Sequence, residues 1–196
     1  MKKIFALILS LVITGNLFSQ IYYSQPNITD QSFIHNLSGP RIGFTVLTNG
    51  DLKDNLQEEF GLTSNFVSQF GYQFEKQIMG DENVAGLVEC IVFLGGLEYG
   101  LFLPSLSGMF GARFSSGFEF AAGPNLSLGG AGLVLGFGKT ISAGNLNIPI
   151  NFAWVPSTSR QRSNDYYEDN VYYEEIETVK TGNRFTLTIG FNFRTR

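Results

Sequence analysis

The residues of this chain with the most chemical reach are charged rather than nucleophilic. Arg41, Glu75, Glu89, Arg113 and Glu119 each stand among apolar neighbours. Paired carboxylates such as Glu75 and Glu119 can run acid–base chemistry. A neighbouring arginine holds both ionised, which removes the proton donor that such chemistry needs. The same five side chains read more simply as an ion-pair network filling the lumen of a small barrel. A narrower alternative is a gate for a small solute or ion. A second concentration lies at 160–180, where Asp165, Glu168, Asp169, Glu174, Glu175 and Glu177 stand among Tyr166, Tyr167, Tyr172 and Tyr173. Its spacing lacks the fixed pattern and the glycine of an EF-hand loop. A solvated external loop is the plain reading, and tyrosines suit a protein or glycan partner at 157–181.

Other chemistries find little support. His35 is the single histidine and precedes the first alternating segment, whereas a Ser–His hydrolase needs its histidine on a strand beside a serine. Cys90 is the single cysteine, so an internal disulfide and a cysteine-built zinc site are both excluded. Gly123, Gly129, Gly130, Gly132, Gly136 and Gly138 lack the strand–turn–helix setting of a phosphate-binding loop. The expectation is a non-enzyme with no cofactor and no metal. A net charge of −4 leaves no basic footprint for nucleic acid.

These residues need elements to position them, and alternation supplies the elements. Phe185, Leu187, Ile189, Phe191 and Phe193 share one parity, while Arg184, Thr186, Thr188, Gly190 and Asn192 share the other. The same two-sided pattern recurs around Ile42, Phe70, Phe110, Phe120, Leu135 and Phe152. The segment at 87–94 is apolar on both faces apart from Glu89, and reads as a strand by length and β-branched content. About eight strands result, the smallest common size of a bacterial outer-membrane barrel. Tight turns at 115–116 and 143–145 fall at one end, with the connection at 78–84. Long loops at 49–62 and 156–182 fall at the other end. Pro104, Pro124 and Pro149 lie within strands and call for bulges or strand ends, because a closed barrel has no edge to take them. Glu58 and Glu59 with Leu56 and Phe60 suit a helical turn in the first long loop.

Charged residues make up 15%, below the roughly 25% of soluble domains, so much of the surface is expected to avoid water. Lys2 and Lys3 followed by an apolar run over 4–13 and a small residue, Ser19, before Gln20 form the layout of a secretory signal. The run is too short for a membrane-spanning helix, which needs about 20 apolar residues.

The terminal strand at 184–194 with its late aromatic Phe193, and the Gly-rich stretch at 117–139, resemble the small outer-membrane β-barrel proteins of the OmpA/OmpX-like class. The chain departs from that class in carrying Arg194, Thr195 and Arg196 after the terminal aromatic. The resemblance implies location in the cell outer membrane more than any activity. The resulting reading is all-β, a closed antiparallel up-and-down transmembrane barrel of about eight strands. Residues 1–20 form the signal peptide, 21–39 an N-terminal periplasmic segment and 40–196 the barrel. The expected function is non-enzymatic: a monomer in contact with outer-membrane lipid, its lumen largely plugged, presenting the acidic, Tyr-rich loop for a structural or binding role. Alternatives are a narrow solute channel, a lipid-modifying barrel enzyme, and a soluble lipocalin-like binder with the Phe parity turned inward.

Overall fold

The computed structural model describes residues 36–168 and 171–193, with the backbone alone for 162–168 and 171–175. The signal peptide expected at 1–20, residues 21–35 with His35, and Asp169 lie outside the described residues.

Where the parity keeps step, the chain is a strand. The elements are β1 (Gly39–Leu47), α1 (Asp51–Phe60), β2 (Phe66–Gly80), β3 (Val84–Gly95), a short 3-10 turn (Leu97–Tyr99) and β4 (Leu103–Phe114). They continue with β5 (Phe118–Ser127), β6 (Gly130–Ala143), β7 (Leu146–Val155), β8 (Ser159–Glu168), β9 (Val171–Lys180), β10 (Arg184–Gly190) and β11 (Asn192–Phe193). Strands β1 to β7 pair antiparallel with their sequence neighbours. β10 then closes the ring, pairing with β7 on one side and with β1 from Arg41↔Gly190 to Leu47↔Arg184 on the other. β11 continues β10 against β7. The result is a closed, eight-stranded, up-and-down antiparallel barrel, which leaves no unpaired edge in the wall.

Closure settles which parity faces in. Phe44, Phe70, Phe110, Phe120, Phe137 and Phe152 are exposed on the outside. Arg41, Gln73, Glu89, Arg113, Asn125 and Thr188 are buried inside. A lipocalin-like barrel needs the opposite assignment, so that alternative does not describe this wall. β3 keeps its doubly apolar character for a structural reason: Val88 and Val92 look out, while Ile91 and Phe93 line a space inside.

The connections are tight at one end of the barrel and, apart from 128–129, longer at the other. Residues 81–83, 115–117 and 144–145 make tight turns at one end of the barrel. Residues 48–65, 96–102, 128–129 and 156–183 join strands at the other, the loop end. The turn expected at 78–84 is shorter than its sequence suggests, because β2 runs on to Gly80 past an irregularity in its pairing with β3 between Gln77 and Met79.

The three prolines sit where no ladder bond is asked of them. Pairing of β4 with β5 starts at Ser105, one residue past Pro104. Opposite Pro124 it skips Gly108 and Met109, passing from Ser107↔Asn125 to Phe110↔Ala122. Across from Pro149, pairing of β7 stops at Ile189↔Ile150 and resumes at Asn192↔Asn147, which is why the closing strand divides into β10 and β11.

Two loop-end segments carry structure of their own. The expected helical turn is a ten-residue helix, α1, ended by Gly61 in the left-handed conformation (φ 68°), whose N–H donates to Gln57 O. Leu52 and Leu56 turn that helix onto Leu47, Leu62 and Val67 at the loop end of the wall. The stretch at 157–181, expected as an irregular loop, is instead a hairpin: β8 pairs with β9 from Ser159↔Lys180 to Glu168↔Val171. Its strands carry polar, tyrosyl and acidic residues with no alternation of apolar side chains, so a test for apolar parity passes over them.

Candidate functional site: the lumen

The inward parity puts five charged side chains at neighbouring heights in β1 to β5. Arg41, Glu75, Glu89, Arg113 and Glu119 are all buried, between 1% and 8% exposed. Pairing explains their meeting: Glu75 lies opposite Glu89 across β2 and β3, and Arg113 opposite Glu119 across β4 and β5. Arg113 is the hub. Its Nη1 donates to Glu75 Oε1 at 2.6 Å and its Nη2 to Glu75 Oε2, a two-pronged bond. Its Nε donates to Glu119 Oε2 at 2.6 Å. Such planar, charge-assisted bonding compensates the loss of water that both partners suffer inside a barrel.

Arg41 is held differently. Its donors reach Gln73 Oε1 (3.2 Å), Asn192 Oδ1 (3.2 Å), Pro40 O (3.1 Å) and Leu37 O (2.6 Å). Among the described residues its guanidinium is therefore bonded to neutral acceptors. Glu89 accepts from Gln73 Nε2 at 3.1 Å, so Gln73 links the Arg41 side of the cluster to the carboxylates.

The chain just before β1 joins this level from the turn end. Leu37 is 2% exposed, and its N–H donates to Glu75 Oε1 at 3.3 Å. Asn36 Nδ2 donates to Glu75 O, and Ser38 Oγ accepts from Glu75 N at 2.8 Å. Residues 36–38 thus close the turn end over the charges.

Glu75, Glu89 and Glu119 offer carboxylate oxygens within 4.8 Å of one another, a spacing open to a divalent cation. Arg113 already binds both oxygens of Glu75 and one of Glu119, so the charge a cation would supply is in place.

Toward the loop end the interior changes character. A cavity of about 110 Å³ lies there, bounded by Leu47, Leu56, Val67, Leu103, Met109 and Val155 among others. Arg184 also borders it, donating to Ser127 Oγ and, at 3.0 Å, to Asn125 Oδ1.

The acidic and tyrosyl residues of the hairpin are brought into register along it. Asp165 stands opposite Glu174, Tyr166 opposite Tyr173, Tyr167 opposite Tyr172, and Glu175 opposite Asn164. Glu177, paired with Arg162, is exposed, and Glu168 closes the ladder beside Val171. Among the described residues β8 and β9 pair only with each other, so this set is apart from the lumen set.

Gln73, Asn192 and Leu37 are as much part of the charged level as the ionised residues. Gln73 and Asn192 lie on the polar parity and were legible there. Leu37 precedes the first strand and carries no alternation signal. Cys90 is exposed on the outward face of β3. No family model matches the chain, and neither curated proteins nor solved structures provide a match.

Proposed function

We propose that this protein is a non-enzymatic outer-membrane barrel, its lumen closed by the Arg113 level, presenting the β8–β9 hairpin outward for a structural or binding role. The observation that carries the reading is the outer wall. Phe74, Phe110, Phe120, Leu126 and Leu133, each more than half exposed, stand on β2, β4, β5 and β6. A soluble protein rarely exposes a contiguous apolar patch beyond about 300–600 Å². A bilayer takes such a belt at no cost in ordered water, and strands of about 9–11 residues suffice to cross it. Apart from the two-residue connection at 128–129, the loop lengths agree with short periplasmic turns and longer external connections. Trp154 suits an interfacial position: it stacks on Phe185 near the loop end while its indole N–H donates to Asn183 Oδ1 at 3.1 Å. At the turn end Lys139 lies 3.9 Å from the centre of the Phe118 ring and donates to Ser116 O.

In this reading the protein works as a monomer with lipid around its wall and a protein or glycan partner at 157–181. Gel mobility of protein extracted from the outer-membrane fraction, boiled against unboiled, tests the placement. A heat-dependent shift is the expected result; recovery in the soluble fraction without a shift would remove the reading. Planar-bilayer recording tests the closed lumen separately. No single-channel steps are expected, and steady conductance altered by Arg113→Ala would replace a plug with a channel.

A further inference from the structure

We propose that the loop-end half of the lumen is a binding site for a short-chain amphipathic anion, with a hydrocarbon tail among the leucines and an anionic head at Arg184. The proposal goes beyond the closed barrel described above and does not depend on where the barrel resides.

Four observations converge on it. The first is a cavity rather than packed side chains. Its volume is about 110 Å³, well above the roughly 10–15 Å³ that one water needs and near the roughly 150 Å³ cavity that takes benzene. It therefore suits a molecule of about four to six non-hydrogen atoms.

The second is the lining. Leu47, Leu52, Leu56, Val67 and Leu103 pack together in its apolar lining, and Met109, Val134 and Val155 add a second apolar group. Leu52 and Leu56 belong to α1, so the helix covers the space from the loop end. The N-terminus of α1 is fastened to the base of the hairpin by the Asp51–Arg160 ion pair.

The third is the charge. Arg184 is the charged side chain bordering the cavity, and among the described residues it bonds only to the neutral acceptors Ser127 and Asn125. The acidic residues of the interior belong to the Arg113 level instead. A half-buried guanidinium without a carboxylate favours an anion beside it.

The fourth is an unmet hydrogen-bond acceptor. Gln69 Oε1 is buried with no partner, and Gln69 lines this same cavity. Buried polar atoms are ordinarily satisfied, so a water that enters with the anion has a place to bond.

The test uses the full chain, folded in detergent micelles and titrated calorimetrically with sodium butanoate, which has six non-hydrogen atoms. Saturable one-to-one binding is expected. Acetate, which keeps the head and loses the tail, and 1-butanol, which keeps the tail and loses the charge, should each bind at least about tenfold more weakly. Arg184→Gln should weaken butanoate by about tenfold or more, and Leu56→Trp, which fills the cavity from the helix side, should abolish binding. The ligand comparison on the unmodified chain decides the matter even if a variant fails to fold. No saturable binding overturns the proposal. Equal binding of acetate reduces Arg184 to a surface-like anion contact, and equal binding of 1-butanol removes the anionic assignment; either result also overturns it.

Discussion

Arg113 serves two carboxylates with one guanidinium, and removing it leaves Glu75 and Glu119 buried without their cation. Breaking a buried ion pair from one side typically costs about 3–5 kcal/mol, so Arg113→Met should lower unfolding stability in detergent–urea titrations by about that amount. Removing the carboxylates as well, in Arg113→Met with Glu75→Gln and Glu119→Gln, should recover much of the loss. A triple variant as unstable as the single one would mean that the charges themselves are not the source. Asp81 gives a prediction of opposite character, on the exposed β2–β3 turn. Its Oδ1 accepts the backbone N–H groups of Asn83 at 2.7 Å and Val84 at 3.0 Å, and these bonds hold its carboxyl below the usual 3.8. A depressed folded value means that the contribution is present above pH 3.8 and fades as pH falls through the lower folded value. Asp81→Ala should therefore be less stable than the parent at neutral pH, with the difference shrinking under strong acid. A gap that stays constant down to that range would exclude the carboxylate as its cause.

At the scale of elements, the barrel wall and the hairpin are separable. The hairpin leaves and returns through Thr158 and Thr181, where Thr181 N–H donates to Thr158 O at 2.9 Å. Deleting 159–180 and joining Thr158 to Thr181 should leave the heat-dependent gel shift intact and abolish any binding to an external partner. Loss of the shift would show that the hairpin, through Arg160 and Asp51, is needed to hold the loop end together. The seam between β1 and β10 is less forgiving. A Cβ at Gly43 would collide with the Leu187 carbonyl and lie 2.8 Å from Thr188 Cα. Forcing groups into such close packing costs typically about 1–3 kcal/mol, and Gly43→Ala should show a loss of that order. Much of this level was visible in the chain: wall-strand periods, turn positions and a helical turn around Leu56 to Phe60 all follow from local pattern. The β8–β9 hairpin was not, since its pairing joins tyrosines and acidic residues without an apolar face.

For the whole molecule the decisive property is the apolar exterior. Phe110 is 67% exposed on the outward face of β4. In water, Phe110→Arg would be close to neutral. On a lipid-facing wall near the bilayer midplane the same change costs about 2–4 kcal/mol, so a loss of that size when folding into vesicles supports the membrane placement. No loss would place Phe110 in water. The outer wall also accounts for the low charge content, because among the described residues its outward parity is mostly apolar and carries few charges, such as Lys76 and Lys139 near the turn end.

By itself the sequence determined the strands of the barrel wall, their two parities and the approximate boundaries of the turns. Side-chain alternation is a local property of extended backbone, and it survives without knowledge of neighbours. It also collected Arg41, Glu75, Glu89, Arg113 and Glu119 on one parity. Parity has no sign, however, and only closure of β10 on β1 decided that this face is the inside. Tertiary structure likewise decided who bonds whom: that Arg113 takes two carboxylates, that Arg41 turns to Gln73 and Asn192, and that the three prolines fall at gaps in the ladders. Those outcomes depend on cross-strand register summed around a ring, a long-range constraint that no single segment carries.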